Sequence, residues 1–205
     1  MYRINAIRRA EGSNEVTVIC EGESFRITAH DVDTLGLEED GVIDESEYAS
    51  LCESRERLAC IQKAFTHLEY GDLSERQLRD KLRKKFPAEL SAEVASLFAE
   101  RGYVDDARLA ERYAETFYEY KNMGLGRIRE QLYRRGISRE NIENALAKYA
   151  EEDQYERIRE YIAKKYDGER IASDEKYRRK VYSGLLRAGF SSSDVSDVLR
   201  NIESE

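Results

Sequence analysis

Three bases in this sequence hold the same place beside an apolar pair. Lys84, Arg134 and Arg187 each lie two residues beyond Leu78/Leu82, Ile128/Leu132 and Val181/Leu185, at an interval of about fifty residues. A cation that recurs in one helical register can meet phosphates or an acidic protein surface, because counterion release and electrostatic steering need charge and no particular base contact. With Val181 pointing inward and a turn of about 100° per residue, Lys176, Arg179, Lys180 and Arg187 fall at about 160° to 260°, on the outward face. Arg127 lies near Arg134 across two turns, and Arg76, Arg79 and Arg83 form a flanking row at i, i+3 and i+7 in the copy that holds Lys84. These ten residues are the candidate partner-binding positions.

Other residue types that do chemistry fail to converge. His30 and His67 lie in different segments, and His67 beside Phe65 and Leu68 suits a packed or helix-end position. Gly124-Leu125-Gly126 has no preceding strand and no Lys-Ser/Thr pair, so it reads as a helix break and not as a phosphate loop. Asp105-Asp106 reads as the cap of a following helix, where negative charge suits the dipole. Cys20, Cys52 and Cys60 are odd in number, with no C-x-x-C spacing and no nearby His, so they are expected to be reduced, small apolar residues. No catalytic residue, metal or cofactor is expected.

The elements that must carry these positions are helices. Of 205 residues, 37% are charged, Pro occurs once and Trp is absent, a balance that favours helices with wide polar faces. The spacing predicts a mainly α chain of three tandem three-helix repeats in an elongated, curved array, with divisions at 51–103, 104–152 and 153–205. In the first copy, Leu58, Ile61, Phe65 and Leu68 mark one helix, and the capping box Ser74-Glu75-Arg76-Gln77 opens the next. In the second, Tyr113, Phe117 and Tyr120 stand at helical spacing and are expected to pack. The third offers a helix from Asp174 to Ala188.

Residues 1–50 read differently. Tyr2 to Arg9, Val16 to Cys20 and Phe25 to Ile27 are β-rich runs between turn signals, which predicts a three-stranded meander. A segment capped by Thr28-Ala29-His30-Asp31 should cover one face, and Asp44 should open the first sizeable helix. The net charge of −8 belongs to this end: residues 1 to 54 hold four bases against thirteen acids, and the remainder thirty against twenty-nine. No run approaches the roughly 18 apolar residues of a membrane span, and the start shows no signal-peptide core, so a cytoplasmic, monomeric protein is expected.

Leu132 to Ile142 also has the look of a helix-turn-helix, with Gly136 in the turn. Its would-be recognition helix and its counterparts carry Glu93, Glu140, Glu143, Asp194 and Asp197, where a major-groove reader needs Arg, Lys, Asn or Gln. A transcription-regulating or nucleic-acid-binding helical protein is therefore the lesser alternative.

Three stretches carry a resemblance: Leu78 to Lys85, Glu100 to Ala110, and Gly126 to Ile137. In order and spacing they look like the signature of the RecX family, over roughly residues 55 to 205, and the acidic β-rich extension is similar to that of a subset of its members. The resemblance implies tandem three-helix repeats that lodge in the groove of the RecA recombinase filament on DNA. It also implies modulation, usually inhibition, of ATP hydrolysis, strand exchange and repressor cleavage, with any DNA contact independent of sequence.

Overall fold

The computed structural model describes residues 1–9, 12–150 and 152–204. Strands β1 (Tyr2–Arg9), β2 (Glu15–Cys20) and β3 (Glu23–Thr28) form the antiparallel meander that alternating burial in β2 and β3 requires. A fourth strand extends the expected sheet: β4 (Val42–Ile43) pairs with the other edge of β1, in the order β3-β2-β1-β4. The acidic turn before β4 makes this possible, since Ile4 exchanges backbone bonds with Asp40 and Gly41.

Helix α1 (Ala29–Thr34) starts at the Thr28/Asp31 capping box, and α2 (Glu45–Glu69) at a second box between Asp44 and Glu47. Helix α2 serves two cores. Its first half places Leu51 among Ile4, Val18, Phe25 and Ile27 and stacks Tyr48 on Tyr2 at 4.1 Å, with Arg55 over the Phe25 ring. Its second half packs on α4. The helix therefore runs without a break through residue 50, joining the β unit to the first repeat.

Helices α3 (Glu75–Leu82) and α4 (Ala88–Glu100) complete that repeat. The second repeat is α5 (Asp106–Glu115), α6 (Leu125–Arg134) and α7 (Arg139–Ala150), and the third is α8 (Gln154–Lys165), α10 (Glu175–Ala188) and α11 (Ser192–Ser204). A short helix, α9 (Gly168–Ser173), capped by Asp167, adds an element to the third copy beyond the three expected. The second and third repeats each bury a cluster of their own, around Ile128/Leu132 and Val181/Leu185.

The chain divides into two compact units, residues 1–73 with 78–103, and residues 74–77 with 104–205. The first turn of α3 thus belongs to the second unit. Ser74 and Gln77 cap each other as the capping box predicts, while the amide of Glu75 donates to Asp106 Oδ1 at 3.0 Å.

One expected row is broken. At the end of α5 the chain makes a single π-helical turn, Thr116–Tyr120, whose wider ring inserts one residue into the helical register. Tyr118 is carried inside, 1% exposed, and Tyr120, expected to pack, is 82% exposed. Arg157 of α8 occupies the opened backbone, donating to the Tyr118 carbonyl (3.1 Å), Asn122 Oδ1 (2.9 Å) and the Met123 carbonyl (3.3 Å).

Candidate partner-binding surface

The bases of α10 stand where the apolar pair puts them. Val181 and Leu185 are fully buried, so residues on the opposite side face solvent: Lys176, Arg179, Lys180 and Arg187 are all exposed or half-exposed. Arg179 holds Glu175 at 2.5 Å, an exposed pair one turn apart that binds weakly and exchanges readily. In α6 the buried Ile128 and Leu132 likewise leave Arg134 exposed, paired with Glu130 at 2.7 Å.

In the first repeat Leu78 and Leu82 are buried, and Arg83 and Lys84 are exposed. Helix α3 ends at Leu82, so these two bases sit on the turn that follows it. Arg79 is half-buried, its Nε 3.9 Å from Asp80 and beyond hydrogen-bond reach. The structure adds to Lys84 two neighbours that the repeat pattern did not single out: Lys63 and Lys81 act with it on His67. Burial first, and then these three ammonium groups, push the His67 imidazole below its usual range, so it is neutral near pH 7. Lys81, one turn before Lys84, was the available signal for this cluster.

Arg127 and Arg76 are tied into the fold. Around the end of α10, three donors from the start of α6 meet three terminal carbonyls: Gly124 N to Ala188 O (2.9 Å), Gly126 N to Gly189 O (2.9 Å) and Arg127 Nη1 to Arg187 O (2.8 Å). Two backbone amides and a guanidinium at one helix start satisfy the terminal carbonyls of another helix end, where the positive end of one dipole meets the negative end of the other. The approach is so close that a Cβ on Gly124 would lie 2.2 Å from the Gly189 carbonyl carbon. Arg127 and Arg187, candidate positions that the sequence assigned to two different repeats, are thus brought together through a side-chain-to-backbone bond. The end of α6 repeats the theme, with Ser74 Oγ donating to the Arg135 carbonyl, and the stem of Arg76 lies over Gly136.

The acids of the third helices are engaged as well. Glu93 pairs with Arg57, and Glu143 takes both prongs of Arg129 at 2.8 and 2.9 Å, which ties α7 to α6. Hydrogen bonding from Arg129 holds the Glu143 carboxyl below the usual carboxylate range. Asp197 pairs with Arg200 at 3.3 Å. These carboxylates serve packing and pairing within the repeat, while the half-buried Asp106 of the second repeat supports the helix start of α3 in the first. Among the described residues no helix is long and apolar enough to cross a membrane.

Repeated three-helix units with buried apolar pairs and exposed bases on or just after their second helices define a helical-repeat protein. Comparison with known proteins gives the class its family. The model for the second three-helix domain of RecX matches residues 105–146, and that for the third matches residues 151–199. The chain is 32% identical over 202 residues to the regulatory protein RecX of Caldanaerobacter subterraneus subsp. tengcongensis, covering 96% of this chain and 98% of that one. It is 29% identical over 197 residues to the regulatory protein RecX of Clostridium acetobutylicum, covering 94% and 88%. The chain belongs to the RecX family of regulatory proteins. A crystal structure of a regulatory protein RecX shares the fold, with a TM-score of 0.79 at 22% identity, over 98% of this chain and all of that one.

Proposed function

We infer that this protein binds the RecA recombinase filament on DNA and restrains it, lowering ATP hydrolysis, strand exchange and repressor cleavage. One observation carries the reading: Lys84, Arg134 and Arg187, which hold the same register after their apolar pairs, are all exposed. A ligand with repeated cations suits a partner with repeated acidic or phosphate sites, since each added contact becomes intramolecular once the first has formed. Membership of the RecX family supports the choice of RecA as partner, and the expected setting is the cytoplasm, with the protein acting as a monomer. Any DNA contact is to the phosphate backbone and independent of sequence.

The reading is tested by adding the purified chain to pre-formed RecA filaments and following DNA-dependent ATP hydrolysis and co-sedimentation. Binding that slows turnover and weakens with salt supports it, and unchanged turnover with no co-sedimentation refutes it. Lys84→Glu, Arg134→Glu and Arg187→Glu combined should weaken binding at least about tenfold, the effect of losing roughly 1.4 kcal/mol of attraction, with helicity by circular dichroism unchanged.

A further inference from the structure

Between α10 and α11 the third repeat has an open groove of about 530 Å³, lined by three arginines, Arg178, Arg179 and Arg200. Its floor is apolar, formed by Leu199, which is 5% exposed, and by the half-buried Tyr182. Two hydroxyls, Ser183 and Ser196, complete the lining. We propose that this groove is a docking site for a short acidic peptide segment of a protein partner, one that also carries an apolar side chain.

Three features select that occupant. The guanidinium forks match carboxylates and already hold such groups here: Arg179 pairs with Glu175 and Arg200 with Asp197, in exposed contacts that an incoming carboxylate displaces. The serine hydroxyls donate to their own helices, Ser183 to the Arg179 carbonyl at 3.0 Å and Ser196 to the Ser192 carbonyl at 2.7 Å. What they offer the groove is lone pairs, which accept from a peptide N–H. A phosphodiester has no donor for them. The apolar floor adds a seat for a Leu- or Phe-like side chain, as in grooves of this volume that bind small ligands.

The proposal stands apart from the filament reading, because its assay contains no recombinase. A fluorescein-labelled hexapeptide of alternating glutamate and leucine is titrated into the full chain, with its glutamine analogue and an oligothymidylate of equal length as comparisons. Anisotropy should show the glutamate peptide binding at least about tenfold more tightly than the analogue, the scale of one or two charge-assisted bonds. Amide resonances of Ser183, Ser196 and Leu199 should shift on binding, and Arg178→Gln combined with Arg200→Gln should lower the affinity by a similar factor. Shifts that avoid these amides, equal binding of the glutamine analogue, or displacement of the peptide from these amides by oligothymidylate would each overturn the proposal. The shift map uses the unaltered chain, so its outcome is independent of how the double variant folds.

Discussion

The amide of Gly126 donates to the carbonyl of Gly189 at 2.9 Å, and about this bond the start of α6 closes on the end of α10. Gly189 ends α10 in the left-handed conformation, at φ +96°, which turns the last carbonyls toward the incoming amides. A joint of this kind has almost no slack, because backbone meets backbone without a side chain between.

Gly189→Ala should therefore be costly. A Cβ there would lie 2.3 Å from the Arg127 nitrogen and 2.7 Å from the Gly124 oxygen, and the residue would keep a positive φ. Strain of about 1–2 kcal/mol from the conformation and about 1–3 kcal/mol from the clash should lower stability to urea. Gly168→Ala, where a Cβ meets nothing within 4 Å, should change it by less than about 0.5 kcal/mol. Equal midpoints for the two variants would show that the joint yields easily.

Arg157→Met keeps an unbranched, flexible stem, shorter than that of arginine, and removes its donors. The carbonyls of Tyr118 and Met123 and the amide oxygen of Asn122 then lose their shared partner. Each neglected buried acceptor costs about 1–3 kcal/mol, so thermal unfolding should begin several degrees lower. Amide exchange should accelerate first at residues 116–123, and uniform exchange across the chain would contradict this assignment.

Ser74→Ala removes an N-cap for α3 and the bond to the Arg135 carbonyl together. Cap loss is worth about 1 kcal/mol, and the orphaned carbonyl adds about as much. Ser74→Thr keeps the hydroxyl and should recover most of the loss in chemical denaturation.

Asp106 makes stability depend on pH in the less common direction. Burial raises its pKa in the folded state, a backbone bond from Glu75 partly opposes this, and the charge of Asp105 adds to it. The folded chain thus keeps the proton longer than the unfolded one, so this group's contribution falls as pH rises from the unfolded value, near about 4, through the raised folded one. Asp106→Asn retains an oxygen for the Glu75 amide and carries no charge. Its unfolding free energy should gain on the natural chain between acid and neutral pH, and parallel curves would show that Asp106 is not strained by burial.

Much of the architecture was legible because it depends on short-range pattern. Apolar pairs four apart forced the second helices to bury Leu78/Leu82, Ile128/Leu132 and Val181/Leu185, and the exposure of Arg134 and Arg187 followed from geometry within one helix, whereas Lys84 is exposed on the turn that follows α3. Asp44, Ser74 and Asp174 announced their helix starts by the same local logic. The π-helical turn was not legible: nothing in Thr116–Tyr120 signals the extra residue, and the clamp on it comes from Arg157, 34 to 39 positions away.

The sequence by itself determined the repeat, the face of each second helix that is apolar, and the family to which the chain belongs, since each is written in residues a few positions apart or in their order along the chain. Only the tertiary structure decided what individual polar groups are used for. Arg127 passed from the candidate surface to a bond with the Arg187 carbonyl, Tyr118 replaced Tyr120 inside, and Arg178 and Arg200 came to line one groove. The physical reason is that a charge or a ring is spent on whichever neighbour the fold brings within a few ångströms, and helical spacing says which way a side chain points without saying what waits there.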